Sequence, residues 1–226
     1  MRIVKSFLLG AAILACFPAV SAAQERPWHI YFGGGPTFVA GKMGDHFSTG
    51  VGPAVGATFD LNSRVSIGAE YAFRRFHAEN WVDVLGVSLT AHHDTHQIAA
   101  NFIYNVTPAD ARVRIYAVAG PGAYYRKVTV TKYEGTGVVC DPYWYICGTY
   151  PIESIIGSRG GWDFGFSVGA GVGFKLGQSD DAEFTIESRY HFVAGPQITP
   201  NAGSPGSFTG GKANGYYIPL TFGFRF

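Results

Sequence analysis

The sequence predicts an all-β fold, a closed eight-stranded antiparallel up-and-down transmembrane β-barrel. Three observations carry that prediction. The chain ends in a strictly alternating strand, Tyr216 to Phe226, with Ile218, Leu220, Phe222, Phe224 and Phe226 on one face and Tyr217, Pro219, Thr221, Gly223 and Arg225 on the other. A strand of this length crosses a bilayer at a tilt with one side against lipid. Similar alternating runs recur along the chain, joined by connections that are by turns long and short. The composition is the third: 31 Gly and 15% aromatic residues, with 15% charged residues where a soluble domain carries about 25%.

The amino-terminus reads as a secretory signal peptide over residues 1–23. Met1 to Lys5 is basic, Ser6 to Phe17 is apolar, and Val20 to Ala23 supplies small residues for cleavage. A lipoprotein start at Cys16 is disfavoured, because Leu14 fits its cleavage box poorly and Phe17-Pro18 would follow the lipidated residue. Residues 24–226 are then one barrel domain of about 200 residues. No other apolar stretch approaches the length of about 20 residues that a membrane-spanning helix needs. A formal net charge of +1 argues against a nucleic-acid-binding face, which requires a basic patch.

In order, the first strand is expected from about Trp28 to Val39 and the second from Val51 to Phe59, where Val55, Ala57 and Phe59 face outward. Asp60-Leu-Asn-Ser-Arg64 is a tight turn, and Val65 to Phe76 follows. After a long stretch, Asp94 to Val106 sets Ile98, Ala100, Phe102 and Tyr104 against Gln97, Asn101 and Asn105. Thr107 to Arg112 is the second short turn. The fifth strand runs from Val113 to about Val130, then the longest connection covers Thr131 to Gly161. Trp162 to Leu176 is the clearest spanning strand, with an aromatic and aliphatic face opposite a glycine face. Gly177 to Asp181 turns the chain into Ala182 to Ala194, and a Gly/Pro/Ser-rich loop leads to the closing strand. Long connections at one end and short turns at the other match a barrel with long outer loops.

An eight-stranded barrel is just wide enough for side chains to fill it. Glu70, Arg74, Asn101, Arg114, Glu187 and Arg189, with Lys175 and Glu183, fall on inward faces. Because charges removed from water need partners, they are expected to form a paired, hydrogen-bonded plug. The rival is a narrow porin-like path for ions or small solutes. His92, His93, Asp94 and His96 form the one metal-like cluster, but residues four apart in a strand lie roughly 13 Å apart. They are read as loop and rim histidines, and no cofactor or metal is implied.

The terminal strand, with Tyr216, Phe222, Phe224 and Phe226 as an assembly signal, resembles the closing strand of bacterial outer-membrane barrels. Arg189-Tyr-His-Phe192 with Gly195-Pro196, and Leu61-Asn-Ser-Arg-Val-Ser-Ile-Gly-Ala-Glu-Tyr71, are similar to members of the small outer-membrane β-barrel superfamily of OmpA/OmpX type. The resemblance implies a bacterial outer-membrane location, contact with outer-membrane lipid and insertion by the barrel assembly machinery. It also raises a lipid-acting enzyme of the lipid A deacylase kind. That pattern puts a serine two residues after its histidine, whereas His191 is followed by Phe192-Val-Ala194, and Ser188 falls on the opposite strand face.

Cys140 and Cys147 are the cysteines left once the signal peptide is removed, and in an exported chain they read as one disulfide. Closing so short a loop stabilises by about 2–3 kcal/mol in the chain-entropy picture. Between them, Tyr143, Trp144 and Tyr145 are residue types that dominate binding hot spots, set against a role in the aromatic girdle. The function expected is structural or adhesive, through external loops that meet an extracellular ligand or surface, with no catalytic role.

Overall fold

Two features, side-chain alternation along each strand and register between strands, together define the molecule. The computed structural model describes residues 27–78, 81–82, 88–108, 111–141, 146–176, 182–195, 197–198 and 211–226. Eight strands form the barrel: β1 (Trp28–Ala40), β2 (Gly50–Asp60), β3 (Val65–His77), β4 (Ser88–Asn105), β5 (Val113–Asp141), β6 (Ile146–Lys175), β7 (Glu183–Ala194) and β8 (Gly215–Arg225). Each pairs antiparallel with the next, and β1 pairs with β8, so the sheet closes. Among the described residues no helix is long and apolar enough to cross a membrane. The expected signal peptide, residues 1–23, and the loop aromatics Tyr143, Trp144 and Tyr145 lie outside the described residues.

The closing seam follows from the terminal strand. Phe32 lies opposite Phe224 and Ala40 opposite Tyr216. Ile30 and Phe226 exchange backbone hydrogen bonds of 2.9 Å in both directions, so pairing reaches the last residue. Ile218, Phe222, Phe224 and Phe226 point outward. Tyr216 packs outside against Phe192, with ring centroids 5.4 Å apart. Outward aromatics gather near both ends: Trp28 on Phe59 at 4.7 Å near one, Tyr125 on Trp162 at 5.4 Å near the other.

Short turns join the strands at one end. In the first, Asn62 Oδ1 accepts from the backbone N–H groups of Arg64 and Val65, both at 2.9 Å, an Asx-type contact that sets the reversal. In the second, Thr107 Oγ1 accepts from Ile115 N–H at 2.9 Å and donates to Val113 O. Short turns face the periplasm in barrels of this kind.

At the other end the strands run further than alternation alone indicates. β4 begins at Ser88, not Asp94, and its early residues pair with both neighbours, His92 lying opposite His77 and Thr129. β5 and β6 continue through most of the stretch expected as a loop, as a two-stranded ribbon that ends with Cys140 opposite Cys147 and Asp141 opposite Ile146. Register shifts interrupt it at Val130/Thr131 and Tyr133/Gly135, and Gly135 holds φ 138° there, a conformation open to glycine. Above a bilayer neither face of a ribbon meets lipid, so no apolar alternation marks these strands in sequence.

Midway along β1 and β2 the inner faces are nearly bare, built from Gly33, Gly35, Gly50, Gly52, Ala54 and Gly56. Neighbouring backbone leaves no choice at two of them: a Cβ on Gly52 would lie 1.8 Å from Phe73 O and one on Gly35 2.1 Å from Leu220 O. Large side chains from the other strands use the room this wall leaves.

Val168 is outward and half-exposed within the part of β6 that pairs with β7. Val168→Arg should therefore destabilise the barrel by about 2–4 kcal/mol, read by equilibrium unfolding in lipid bilayers.

Candidate functional site

The inward faces build a polar network in two tiers beneath an aromatic roof. Near the short turns, Arg114 from β5 meets Glu183 from β7, Nε to Oε1 at 2.9 Å, and donates from Nη1 to Asn105 Oδ1 at 3.0 Å. Its guanidinium also lies 4.3 Å from the Tyr116 ring. Arg225 from β8 bridges the same Glu183 at 3.3 Å and Asp60 of β2 at 3.1 Å. His29 Nε2 also lies 3.1 Å from Asp60 Oδ2.

The second tier centres on Arg189. Its Nη2 meets Glu70 Oε2 at 2.8 Å, its Nε meets Glu187, and its Nη1 donates to Asn101 Oδ1 at 3.1 Å. Glu70 also accepts from Tyr31 OH and from Gln97 Nε2 at 3.2 Å. Tyr217 OH donates on to Gln97 Oε1 at 3.4 Å.

Above this tier an apolar cluster fills the lumen beside an ion pair of Arg126 and Asp163 at 2.6 Å. Met43, Phe76, Tyr124, Val193 and Tyr217 form a buried cluster, with Val39 and Phe47 against it. Met43 comes from a single turn of 3-10 helix, Gly41–Met43, in the first outer connection, so that connection folds inward over the barrel mouth. Buried His191 stacks on Tyr217 at 4.7 Å, and its Nδ1 lies 3.1 Å from Tyr124 OH. The void among the lower tiers, touching Asn101, Tyr116, Arg189 and Arg225, measures about 30 Å³, room for a water or two and no more.

The sequence-derived network is thus largely assembled: Glu70, Asn101, Arg114, Glu187 and Arg189 all join it. Arg74 is buried and inward with Glu70 as an electrostatic neighbour, while its Nε and Nη1 have no hydrogen-bond partner among the described residues. Tyr31, Gln97, Tyr124, His191 and Asp60 join the network without having been singled out; inward parity, as of Gln97 with Asn101 and of His191 with Arg189, was the signal available.

The histidines separate as strand alternation requires. His93 is buried and inward, while Tyr71 OH contacts His96 from outside at 2.8 Å. No group of three or more metal-ligating side chains comes together among the described residues. Ser188 is exposed outside and His191 buried inside, so the barrel wall separates them and they form no nucleophile–base pair.

A closed barrel with apolar outward faces, aromatic bands at both ends and a charged, filled interior is a membrane-spanning protein of the outer-membrane type. A family profile described as outer membrane protein beta-barrel domain matches residues 9–226, and the chain belongs to that family. Its place is the bacterial outer membrane. Among solved structures it is similar to Neisserial surface protein A (NspA), at 14% identity and a TM-score of 0.47, covering 88% of this chain and 96% of that one. It is similar also to Ail, the attachment invasion locus protein of Yersinia pestis, at 13% identity and a TM-score of 0.44, covering 90% and 100%. The outer membrane protein OprG from Pseudomonas aeruginosa follows at 10% identity and a TM-score of 0.43, covering 89% and 97%. Comparison with curated protein sequences finds no significant match.

Arg189→Met would strand Glu70 and Glu187 together in the lumen and should destabilise the barrel by about 3–5 kcal/mol. Glu70→Gln on that background should recover part of the loss. Urea unfolding of the single and double variants in lipid checks this non-additivity.

Proposed function

We propose that this protein acts at its outer surface, as a membrane-anchored barrel that presents a β-ribbon and loops to another surface, and does not act as a pore. One observation carries the reading: the lumen is occupied by ion pairs and an aromatic roof, while β5 and β6 continue as a paired ribbon past the last partners of β7. Charge-assisted pairs inside a narrow barrel hold the wall rigid, which suits an anchor for a projecting element.

The ribbon tip is the proposed contact surface, with Tyr143, Trp144 and Tyr145 as its anchoring residues. A Cys140–Cys147 disulfide would fix it. The two are direct cross-strand partners, and the Cα spacing of such partners, about 4.5–5.5 Å, lies within disulfide range. Removal of residues 1–23 on export belongs to the same reading, as does recognition of Tyr216, Phe222, Phe224 and Phe226 by the barrel assembly machinery.

Purified, refolded protein should leave a planar lipid bilayer silent; stable, defined current steps would sink the closed-lumen reading in favour of a narrow channel. Replacing residues 132–154 by a short turn should leave heat-resistant folding in gels unchanged. It should also abolish the adhesion of expressing bacteria to mucin-coated and cultured-cell surfaces. Equal adhesion with and without the ribbon would remove it as the working surface. Maleimide labelling of non-reduced protein should find neither Cys140 nor Cys147 free, and labelling of both would exclude the disulfide.

A further inference from the structure

A furrow cuts the outward face in the half of the barrel nearer the short turns. Ala57, Ala69 and Ala100 lie opposite one another across β2, β3 and β4 and form its floor. One step closer to the turns, Phe59, Ile67 and Phe102 are likewise cross-strand partners and form its lower wall. Trp28 on β1 packs against Phe59 at 4.7 Å and closes one end. Pro121 and Phe166, partners on β5 and β6, close the other. A row of methyl groups beside a row of large side chains makes the depression, which measures about 650 Å³.

What fills it follows from where it lies. Short turns face the periplasm, so the furrow opens to the hydrocarbon of the periplasmic leaflet and not to water. Left empty, it would forfeit dispersion contacts along its whole lining. At about 30 Å³ for each methylene, close to the volume of a water molecule, a chain of about 16 carbons occupies about 480 Å³ and fits within it. A cation stands below the same strands. Arg64, exposed in the turn between β2 and β3, donates from Nη1 to Val106 O just past the end of β4. One residue pair, Val65 opposite Tyr104, separates it from the Ile67–Phe102 wall. Its guanidinium therefore sits at the edge of the apolar band, level with the phosphates of that leaflet. A guanidinium has five donors, enough to hold Val106 and still grip a phosphate in the two-point manner that arginine favours.

We propose that the furrow and Arg64 form a binding site for one phospholipid of the periplasmic leaflet. Its phosphate sits on Arg64, and one of its acyl chains lies over Ala57, Ala69 and Ala100. The site is at the opposite end of the barrel from the ribbon and is independent of what the ribbon contacts.

Native mass spectrometry of the refolded barrel, released from detergent micelles doped with dipalmitoyl phosphatidylglycerol, reads the site. A single bound lipid should persist at collision energies that strip the rest of the micelle. Ala69→Phe, which fills the floor, should lower that one-lipid fraction about tenfold; Ala100→Phe takes its place if the first variant does not fold. Arg64→Gln should lower it several-fold. Ala170→Phe, which enlarges an exposed alanine of β6 away from the furrow, should leave it unchanged. No retained lipid in the wild-type protein overturns the proposal, as does equal retention in Ala69→Phe or in Arg64→Gln, or an equal loss in Ala170→Phe. A dimer in place of the lipid adduct, lost in Ala69→Phe, would give the furrow to a second copy of the chain and overturns it too.

Discussion

Everything in this molecule follows from the need to pair each backbone N–H and C=O that enters hydrocarbon. A strand that crosses a bilayer cannot leave an edge, so the sheet must close, and here it closes through Phe226 itself, bonded back to Ile30. Closure with eight strands leaves an interior only as wide as side chains can fill. The backbone's demand thus becomes a demand on the side chains. The narrow interior excludes bulk water, and the carboxylates placed there draw their partners from inside the wall.

The network answers that demand by sharing. Glu183 accepts from two arginines and Arg189 meets two carboxylates, with amides and tyrosine hydroxyls taking the sites left over. Buried ion pairs add little net stability compared with apolar packing. Their value here is geometric, since bonds in several directions fix each strand's rotation and leave the glycine wall of β1 and β2 close against its neighbours. The aromatic roof does for the outer end what charge does for the inner one, and Met43 and Phe47 from the first outer connection close it from above.

Much of this was legible in the sequence, because lipid on one side of a strand writes a period of two into it. Phe164, Phe166 and Val168 against Gly165, Ser167 and Gly169 give the face of β6 directly, and inward parity alone recovers Glu70, Asn101, Arg114 and Arg189. Outside the bilayer that signal vanishes. Ser88 to His93, where Ala91 and His93 turn inward, and the ribbon to Cys140 are strands held by backbone pairing that leaves no strong pattern of hydrophobicity. Arg74 shows a second limit. Parity tells that a charge points inward, but not whether a carboxylate from another strand stands close enough to meet it.

The ion pairs also join distant parts of the chain: Asp60 on β2 to Arg225 on β8, Glu70 on β3 to Arg189 on β7. Each such bond straddles the gap between the first and last strands, so none can form while β1 and β8 are apart. An unfinished barrel therefore keeps these charges hydrated in an open trough, and they lose water only as the seam is drawn shut. Zipping the seam and drying the interior are one event, and reopening the barrel sideways would have to rehydrate every one of those charges at once.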